Sequence, residues 1–451
     1  MQWLTLARKS FRKVNATYED HLKTLSSEWN ELLVRNGFDG ALIAAGESSF
    51  YFEDDQSPTF HANPHFLRWS VFDECEHCVL VVNAESEPQL HWYTPADYWY
   101  LPTSIPKRLA SNFDHQVHTT LEDLDRACKT AVQGNQRIAY IGPEPCAQLS
   151  LSNVEPAPEK LLNQLAFRRA FKTPFEIACM ANATAIGVQG HLAAREAFFN
   201  NGCEFDIHLA YLKASKQVES QLPYPNIVGL NEHASTLHYQ HYALSPPSTI
   251  RSLLIDAGAK YQSYHADITR SYARIEGNEY DELVSTVNDF QLQLISELPS
   301  FDTFLDFHVR AHQLVAQALV DCRVVKCSAT ATYDQQLTDV FYPHGTGHLL
   351  GLQTHDVGGH ITDEIGNSVS PPERFPSLRL LRKISPNMVF TVEPGIYLIP
   401  ILLKSVAGHP DINWSKVEEL LPFGGVRIED NVAVEEDGVL NLTRQAFQAA
   451  E

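Results

Sequence analysis

Two shortages in the sequence exclude whole classes of protein. No uninterrupted apolar run reaches the roughly 18 residues that a transmembrane helix needs, so we expect no membrane span. Basic residues are scarce as well: 34 lysines and arginines face 55 aspartates and glutamates, which gives a formal net charge of −21 in 451 residues. Because nucleic acid and anionic membrane surfaces are bound through basic patches, we expect neither as a partner.

Clustered cysteines are also missing. The 8 cysteines are scattered and most lie in apolar surroundings, which is typical of free thiols in a reducing compartment. Cys75 and Cys78 form a CxxC pair, but Cys322 and Cys327 do not supply the second pair that a structural zinc site would need. At the N-terminus, basic residues follow a short apolar stretch, the reverse of a secretory signal. The sequence therefore predicts a cytoplasmic protein.

The N-terminal third shows the pattern of predicted strands and helices that is expected of an α/β domain. Residues 17–36 and 121–132 show helical spacing, and short apolar strands begin at Ala41, Val79, Gln89 and Arg137. Such alternation of strands and helices is typical of α/β folds. Residues 152–160 carry two prolines without periodicity, so we predict a linker there. We divide the chain into an N-terminal domain, residues 1–160, and a C-terminal domain, residues 161–451.

The C-terminal domain begins with helices and continues with strands broken by glycine and proline. Thr173, Pro174 and Glu176 form a capping box, which predicts a helix that runs to about residue 200. We predict three further helices, at residues 204–218, 278–297 and 303–322. A proline-rich loop is predicted at residues 371–376. Strand-like segments appear after Tyr224.

Five acidic or imidazole side chains stand in short, unusual local sequences of this second domain. Their surroundings read LLIDAG, HADITRSY, PHGTGHLLGLQTHD, FTVEPGIY and GVRIEDN, and the side chains are Asp256, Asp267, His348, Glu393 and Glu429. Two carboxylates at neighbouring strand ends repel each other unless cations lie between them. Taken singly, an aspartate could instead cap a turn, and a glutamate beside Arg427 could form an ion pair. Taken together, the five offer the donors that a pair of divalent cations needs.

Histidines are concentrated between residues 344 and 360. His344, His348, His355 and His360 are interleaved with glycines, which allow the backbone to approach a site closely. Neutral imidazole can bind metal, transfer protons or donate to an oxyanion near neutral pH. We expect His360 to be structural. His238, in the earlier segment TLHYQH, is a separate candidate.

These fragments, in this order, resemble the pita-bread metallopeptidase superfamily, which includes methionine aminopeptidase, aminopeptidase P, prolidase and creatinase. Within it, the chain is most similar to bacterial Xaa-Pro dipeptidases of the type that includes organophosphorus acid anhydrolases. NPHFLRW and PADYWYLP extend the resemblance into the N-terminal part. The resemblance implies an α/β N-terminal domain of the creatinase/prolidase type and an α+β pita-bread catalytic domain.

The resemblance also implies a dinuclear metal site that holds two divalent ions, Mn²⁺ in the family manner. Asp256 would bind one ion, Asp267 and Glu429 would bridge both, and His348 and Glu393 would bind the other. His348 is chosen over His344 as the ligand because the family places a second histidine seven residues later, where this chain has His355. A hydroxide held between the ions would attack the carbonyl before proline.

Further roles follow from the same resemblance. Glu393 would also carry a proton to the departing proline nitrogen, His238 and His355 would donate hydrogen bonds to the oxyanion or to the substrate carboxylate, and Arg427 would orient Glu429. Substrate-binding residues are implied as well. Arg382 would hold the C-terminal carboxylate of a dipeptide, His344 would assist, Tyr224 would lie near the pocket, and Asp55 and Trp99 would close the pocket of a partner subunit in a homodimer.

The function implied is hydrolysis of Xaa-Pro dipeptides, with phosphotriester hydrolysis as a side activity. Two alternatives remain open. An enzyme of the aminopeptidase P kind would act on longer peptides and would not depend on an arginine that holds a dipeptide carboxylate. A non-catalytic pita-bread binding protein would have lost metal ligands, whereas all five are present in this sequence.

Overall fold

The computed structural model describes residues 2–84, 86–143 and 153–450. Its N-terminal part is a six-stranded sheet with the order β4-β3-β2-β1-β5-β6. The strands are β1 Gly40–Ala44, β2 Val79–Asn83, β3 Gln89–Tyr93, β4 Asp114–His118, β5 Ile138–Ile141 and β6 Val154–Pro156. The helices are α1 Gln2–Asn36, α2 Pro64–Ser70, α3 Lys107–Asn112, α4 Leu121–Ala131 and α5 Glu159–Arg169. α1 thus begins earlier than residue 17, where the predicted helix starts.

Alternating side chains of the central strand explain why helices cover both faces of this sheet. Ala41 and Ile43 belong to a hydrophobic cluster with Trp29 of α1, whereas Leu42 packs in a second cluster with Leu124 of α4. All five residues of β1 are buried. A strand that is buried on both faces reads as a continuous apolar run, as this one does in the sequence.

The predicted linker at residues 152–160 is wrong. Val154–Pro156 forms the edge strand β6, which pairs in parallel with β5, and α5 begins at Glu159. Proline lacks a backbone donor and is tolerated on an edge strand, where its nitrogen needs no partner. Pro158 then caps the helix. The two prolines therefore mark a strand edge and a helix start, whereas their lack of periodicity suggested an unstructured segment.

The C-terminal part combines several small sheets with outer helices. Its helices are α6 Pro174–Phe199, α7 Glu204–Ser215, α8 Glu279–Glu297, α9 Phe304–Asp321, α10 Ala329–Asp334, α11 Thr338–Phe341, α12 Pro400–Ser405, α13 Trp414–Leu420 and α14 Leu442–Ala450. Its strands are β7 Ile227–Leu230, β8 Ser252–Asp256, β9 Lys260–Tyr261, β10 Tyr264–His265, β11 Thr269–Ala273, β12 Val389–Val392, β13 Gly395–Tyr397, β14 Gly425–Arg427, β15 Asp430–Glu435 and β16 Gly438–Asn441.

The strands form inner sheets onto which the helices pack. β11-β8-β7 and β12-β15-β16 are three-stranded sheets, and β13 pairs with β14. Side chains of α6 and α7 share a hydrophobic cluster with β7 and β8, while α8 and α9 share another with β12. The described part of the chain contains no helix that combines the length and hydropathy needed to cross a membrane.

The capping box predicted at the start of α6 is confirmed, and it also joins the two domains. Thr173 Oγ1 accepts a hydrogen bond from the Glu176 amide, and the Glu176 carboxylate accepts one from the Thr173 amide. The same carboxylate lies 3.3 Å from Nε of Arg68, which belongs to α2. Farther along the interface, buried Asp356 pairs with Arg169 and Lys172.

We expect these buried carboxylates to make the fold sensitive to acid. Burial alone would raise their pKa values, but Arg68 outweighs it at Glu176, and Arg169 and Lys172 outweigh it at Asp356, so both pKa values fall to about 2. A depressed folded-state pKa stabilises the protein above the unfolded-state value, near 4. That stabilisation, about 2–3 kcal/mol per group, is lost as the pH falls from about 4 to about 2.

Urea unfolding at pH values from 7 to 2 measures this dependence. The free energy of unfolding should fall steeply below about pH 4 and should fall less steeply in Asp356→Asn, which no longer titrates at that position. A free energy of unfolding that stays constant down to pH 2 would contradict the account.

Candidate metal centre

Asp256 and Asp267 lie side by side at one edge of the β11-β8-β7 sheet. Asp256 ends β8 and is paired with Thr269 of the antiparallel strand β11. The Tyr224 hydroxyl is 2.8 Å from Asp256 Oδ1 and 2.5 Å from Asp267 Oδ1, so one group touches both carboxylates. A Cβ atom at Gly258 would overlap the Ala266 carbonyl oxygen, and the close turn between the two carboxylates therefore requires glycine.

His348 and Glu429 bring further ligand atoms to Asp267. One ligand atom from each of these three buried residues lies within 4.8 Å of the others. His348 Nε2 is 3.4 Å from Asp267 Oδ2 and 3.6 Å from Glu393 Oε1. The structure therefore brings together all five side chains that the sequence singled out, since Tyr224 joins Asp256 to Asp267.

Local contacts fix the direction of the His348 and Glu429 side chains. His348 Nδ1 is 3.0 Å from the Leu349 carbonyl oxygen; a donor there leaves the lone pair of Nε2 free to face the carboxylates. The Thr269 hydroxyl donates to Glu429 Oε2 at 2.6 Å. A Cβ atom at Gly347 would overlap a backbone carbonyl of β12, so the histidine segment lies against that strand only because it carries glycine.

The charges of this cluster conflict in the absence of a cation. Burial, reinforced by Asp267 and Glu393, raises the pKa of Glu429 well above its usual value. Burial likewise raises the pKa of Glu393 to about 7 and that of Asp256 to about 6. A hydrogen bond with Asp267 raises the pKa of His348 despite burial. Three buried carboxylates and the half-buried Glu393 around one imidazole suit a pair of divalent metal ions, which would remove this repulsion.

Arg427 contacts Asp256 directly and reaches Glu429 only through Thr269. Its Nη2 donates to Asp256 Oδ2 at 2.6 Å, its Nε donates to Thr269 Oγ1 at 3.1 Å, and its Nη1 donates to the Tyr397 hydroxyl at 3.0 Å. The predicted orientation of Glu429 by Arg427 would therefore act through the Thr269 hydroxyl. β14 ends at Arg427 and β15 begins at Asp430, so Glu429 lies between the two strands.

His344 is held at the edge of the centre in a neutral state. Its Nε2 is 2.8 Å from the Tyr397 hydroxyl, and its Nδ1 is 2.8 Å from the Gly345 carbonyl oxygen and 3.8 Å from Glu393 Oε2. Burial and the nearby charge of Arg427 lower its pKa to about 3. Because Arg427 donates to the Tyr397 oxygen, the Tyr397 hydroxyl proton is available to His344 Nε2.

A cavity of about 730 Å³ opens onto the metal ligands from the domain interface. Tyr224, His238, Asp256, Asp267 and His355 line its C-terminal wall. The opposite wall comes from the N-terminal domain and includes His61, Asn63, Pro64, Leu67 and Asp73. The His355 ring lies 4.4 Å from that of His348, edge to face, and burial lowers the pKa of His355 to about 4. His238 and His355 therefore line the same cavity as the candidate ligands Asp256 and Asp267.

The structure places Arg382 away from this cavity, which corrects its predicted role. Its guanidinium packs 4.2 Å from the ring centroid of Phe167 and 4.8 Å from that of Phe171, and it donates to the carbonyl oxygens of Phe167 and Gly358. The side chain is buried, and burial lowers its pKa to about 10. A guanidinium enclosed in this way has no room for a substrate carboxylate.

Arg379, in the same segment, is an arginine to which the sequence analysis gives no role. It is exposed, and its charge contributes to lowering the pKa of His355, so it lies near the cavity wall. In the segment LRLLR, Leu378, Leu380 and Arg382 are all buried, whereas Arg379 has the opposite parity. Because alternate residues of an extended chain face opposite sides, the two leucines could have shown that Arg382 points inward.

Asp55 and Trp99 do not line the cavity of their own chain. Both are exposed, Trp99 to 76%. Around them, Phe52, Tyr98 and Tyr100 are also exposed, to 91%, 86% and 74%. Large aromatic side chains in such number on loop surfaces are typical of an interaction surface. His360, by contrast, contacts the Leu378 carbonyl oxygen, which fits a structural role.

Comparison with known proteins agrees with this geometry. Residues 178–436 match the family described as metallopeptidase family M24, and residues 16–167 match the Xaa-Pro dipeptidase N-terminal domain. The chain belongs to metallopeptidase family M24. The predicted family is confirmed, as is the combination of an N-terminal α/β domain with a pita-bread domain. This family uses pairs of divalent metal ions, for which the cluster above is suited.

Curated relatives of this M24 chain match it over almost their entire length. The Xaa-Pro dipeptidase of Pseudoalteromonas haloplanktis is 41% identical over 438 residues, which cover 96% of this chain and 98% of the relative. The Xaa-Pro dipeptidase of Salmonella paratyphi B is 40% identical over 435 residues, which cover 95% and 98%. The alignment with the Pseudoalteromonas haloplanktis enzyme extends through both domains. It therefore includes the N-terminal residues that form one wall of the cavity.

Solved structures of Escherichia coli aminopeptidase P share the fold of the M24 chain. One of them superimposes with a TM-score of 0.71 at 20% sequence identity and covers 97% of this chain and 99% of its own. A zinc-substituted form in complex with product gives a TM-score of 0.70 at 20% identity and covers 97% and 99%. At 20% sequence identity, the structural similarity establishes the fold. The substrate has to be inferred from the site.

Proposed function

We propose that this M24 chain is a cytoplasmic, manganese-dependent Xaa-Pro dipeptidase. The observation that carries the proposal is the buried cluster of Asp267, His348 and Glu429. Asp267 also lines the cavity to which His238 and His355 contribute. Relatives named Xaa-Pro dipeptidase, at about 40% identity over nearly the whole chain, supply the substrate class. Carboxylate oxygens and a single imidazole suit Mn²⁺ among the divalent ions.

The residues around the cluster divide the chemistry among them. Two divalent ions bound there would supply Lewis-acid polarisation and a water molecule of lowered pKa. His238 and His355, on the cavity wall, would donate hydrogen bonds to the oxygen of the scissile carbonyl as it gains negative charge. Glu393, 3.8 Å from His344, would pass a proton to the departing proline nitrogen. Arg427 would keep Asp256 oriented.

Selectivity for dipeptides would come from Arg379. The Arg379 side chain is exposed, and its charge acts on His355 of the cavity wall. A guanidinium in that position would pair with the C-terminal carboxylate of a short substrate, and its planar donors suit bidentate contact. A longer peptide places a neutral amide at that point and gains nothing from the charge. Arg382, enclosed by two phenylalanines, would instead support the wall on which Arg379 stands.

A homodimer is part of the proposal. Asp55 and Trp99 are exposed on the N-terminal domain, each close in sequence to exposed aromatic residues, and neither lines the cavity of its own chain. A partner subunit would bury this surface and receive both side chains at its own pocket. The oligomeric state of the purified protein tests this point, since a monomer would leave Trp99 without a role at any site.

The test is an assay of the Mn²⁺-loaded protein on Xaa-Pro dipeptides, Xaa-Pro tripeptides and one phosphotriester. We expect the dipeptides to be cleaved at least about 10-fold faster than the tripeptides, since a contact between charged groups contributes about 1.5–3 kcal/mol. Asp256→Ala serves as the inactive control. Protein that holds two metal ions per chain and cleaves no dipeptide would disprove the proposal.

Two other outcomes of the same assay are informative. Faster cleavage of the tripeptides would assign the chain to the aminopeptidase P kind, whose fold it shares. Hydrolysis of the phosphotriester would add a side activity, because the cavity that admits a carbonyl carbon to the metal pair can admit phosphorus.

A further inference from the structure

A buried carboxylate outside the metal centre ties together the loop that carries His238. Glu204, the first residue of α7, has 0% of its surface exposed. Its Oε1 accepts hydrogen bonds from the Leu230 amide at 2.9 Å and from His233 Nδ1 at 2.7 Å. Its Oε2 accepts hydrogen bonds from the Tyr239 hydroxyl at 2.9 Å and from the Ala243 amide at 2.8 Å. One side chain thus binds four groups spread over fourteen residues of chain.

The four donors are distributed along residues 230–243, at both ends of this segment and between them. Leu230 ends β7 at the start of this segment, and Ala243 ends it. Between them, Tyr239 points to Glu204, while its neighbours His238 and Gln240 line the cavity with the metal ligands. His238 lies in a turn directly before Tyr239, so the hydrogen bond that fixes Tyr239 also restricts the backbone from which the His238 side chain reaches the cavity. The His233 ring, stacked 4.5 Å from that of Tyr239, braces this contact.

The chemistry of the site explains why glutamate stands at this position. A carboxylate offers about four acceptor positions and no donor, which matches four converging donors. Glutamine would turn an amide NH₂ toward two of those donors and leave them unpaired. In the described part of the chain, the salt-bridge partner of Glu204 is His233, and no lysine or arginine pairs with it. A buried carboxylate without a strong cation costs free energy, so its role lies in the hydrogen bonds that it accepts.

We propose that Glu204 is the positioning residue for His238: it fixes the loop 231–243 so that the His238 imidazole stands at the cavity wall. This inference rests on the proposed role of His238 in cleaving the Xaa-Pro bond. Glu204 itself touches neither substrate nor metal ligands. Its removal should therefore change the rate of the chemical step while the metal pair remains bound.

Glu204→Gln tests the proposal, with Asp206→Asn as the matched control. Asp206 lies in the same first turn of α7 but bonds only to Cys203 of its own helix start. Displacement of a catalytic group by about 1 Å costs on the order of 100-fold in rate, and we expect a loss of this size in kcat for Glu204→Gln. The metal content should stay at two ions per chain, and amide hydrogen exchange should rise in residues 231–243. Asp206→Asn should leave both measurements unchanged.

A double-mutant cycle separates positioning from a general loss of structure. In a His238→Ala background, Glu204→Gln should reduce kcat by less than about 3-fold, because the group that it positions is already gone. An equal loss in both backgrounds overturns the proposal, as does a single variant that keeps the wild-type kcat. If Glu204→Gln fails to fold, Tyr239→Phe replaces it as the test, because this variant removes only one hydroxyl that donates to Glu204. A kcat loss on the order of 10-fold that disappears in the His238→Ala background would then support the proposal.

The outcome remains distinct from that of the proposed function. If the wild-type protein cleaves no Xaa-Pro dipeptide, the proposed function fails. Amide hydrogen exchange then remains the test of whether Glu204 anchors the loop. Exchange that rises only within residues 231–243 of Glu204→Gln then supports the anchoring of the loop, and unchanged exchange overturns it.

Discussion

Glu429→Gln is expected to abolish metal-dependent activity while it leaves the stability of the metal-free protein almost unchanged. In the absence of a cation, burial and the charges of Asp267 and Glu393 raise the pKa of Glu429 well above its usual value, which favours the uncharged side chain. Glutamine reproduces that neutral form and can still accept the hydrogen bond that Thr269 donates to Glu429 Oε2. With cations bound, the charge of a central ligand is lost, and kcat/KM should fall more than about 1000-fold, which corresponds to about 4 kcal/mol.

Thermal unfolding with and without Mn²⁺ measures both halves of this prediction. A metal ion present at 100 times its dissociation constant stabilises the folded protein by about 2.7 kcal/mol, so Tm of the wild type should rise on addition of Mn²⁺. Tm of Glu429→Gln should equal that of the metal-free wild type and should not respond. Glu435→Gln is the matched control, because Glu435 is an exposed carboxylate on the following strand, β15, and should behave as the wild type. A metal response in Glu429→Gln would remove Glu429 from the ligand set.

The second large effect is expected at Arg379. Arg379→Ala should reduce kcat/KM for free Xaa-Pro dipeptides by about 10- to 100-fold, since a hydrogen bond between charged groups contributes about 1.5–3 kcal/mol. For the same dipeptides with an amidated C-terminus, the loss should stay below about 3-fold, because the amide carries no charge to pair. The ratio of the two kcat/KM values therefore reports the carboxylate contact by itself.

Arg382→Ala provides the contrast within the same segment. Its guanidinium lies against Phe167 and Phe171, so the substitution should lower Tm through lost packing and leave the ratio of free to amidated dipeptide unchanged. If Arg382→Ala changed that ratio and Arg379→Ala did not, the structural assignment of the two arginines would be reversed.

The candidate metal ligands were accessible to sequence reasoning because each has a strong local context. An apolar run that ends in aspartate, or a strand that ends in Glu-Pro-Gly, indicates a carboxylate at a strand end, and the family order of the fragments supplied the rest. The capping box at Thr173 was equally local, and it defined the start of α6 correctly. Such features depend on a few neighbouring residues, which the sequence displays directly.

What the sequence did not reveal depends on contacts between distant segments. Arg379 and Arg382 belong to one short motif, and only the enclosure of Arg382 by residues 167 and 171 separates their roles. Glu204 lies in an unremarkable helix start, and its four donors become visible only when residues 230–243 fold back onto it. The strand β6 was missed because its partner β5 is required to recognise it.

The double use of Glu176 has a consequence for exchange of domains between relatives. This side chain completes the cap of α6 and at the same time neutralises Arg68, which enters from the other domain. A hybrid that takes its N-terminal domain from a relative without an arginine at this place would bury an unpaired carboxylate, and replacing that carboxylate would remove the helix cap. Recombination at the domain boundary is therefore expected to yield stable proteins only when both residues are inherited together.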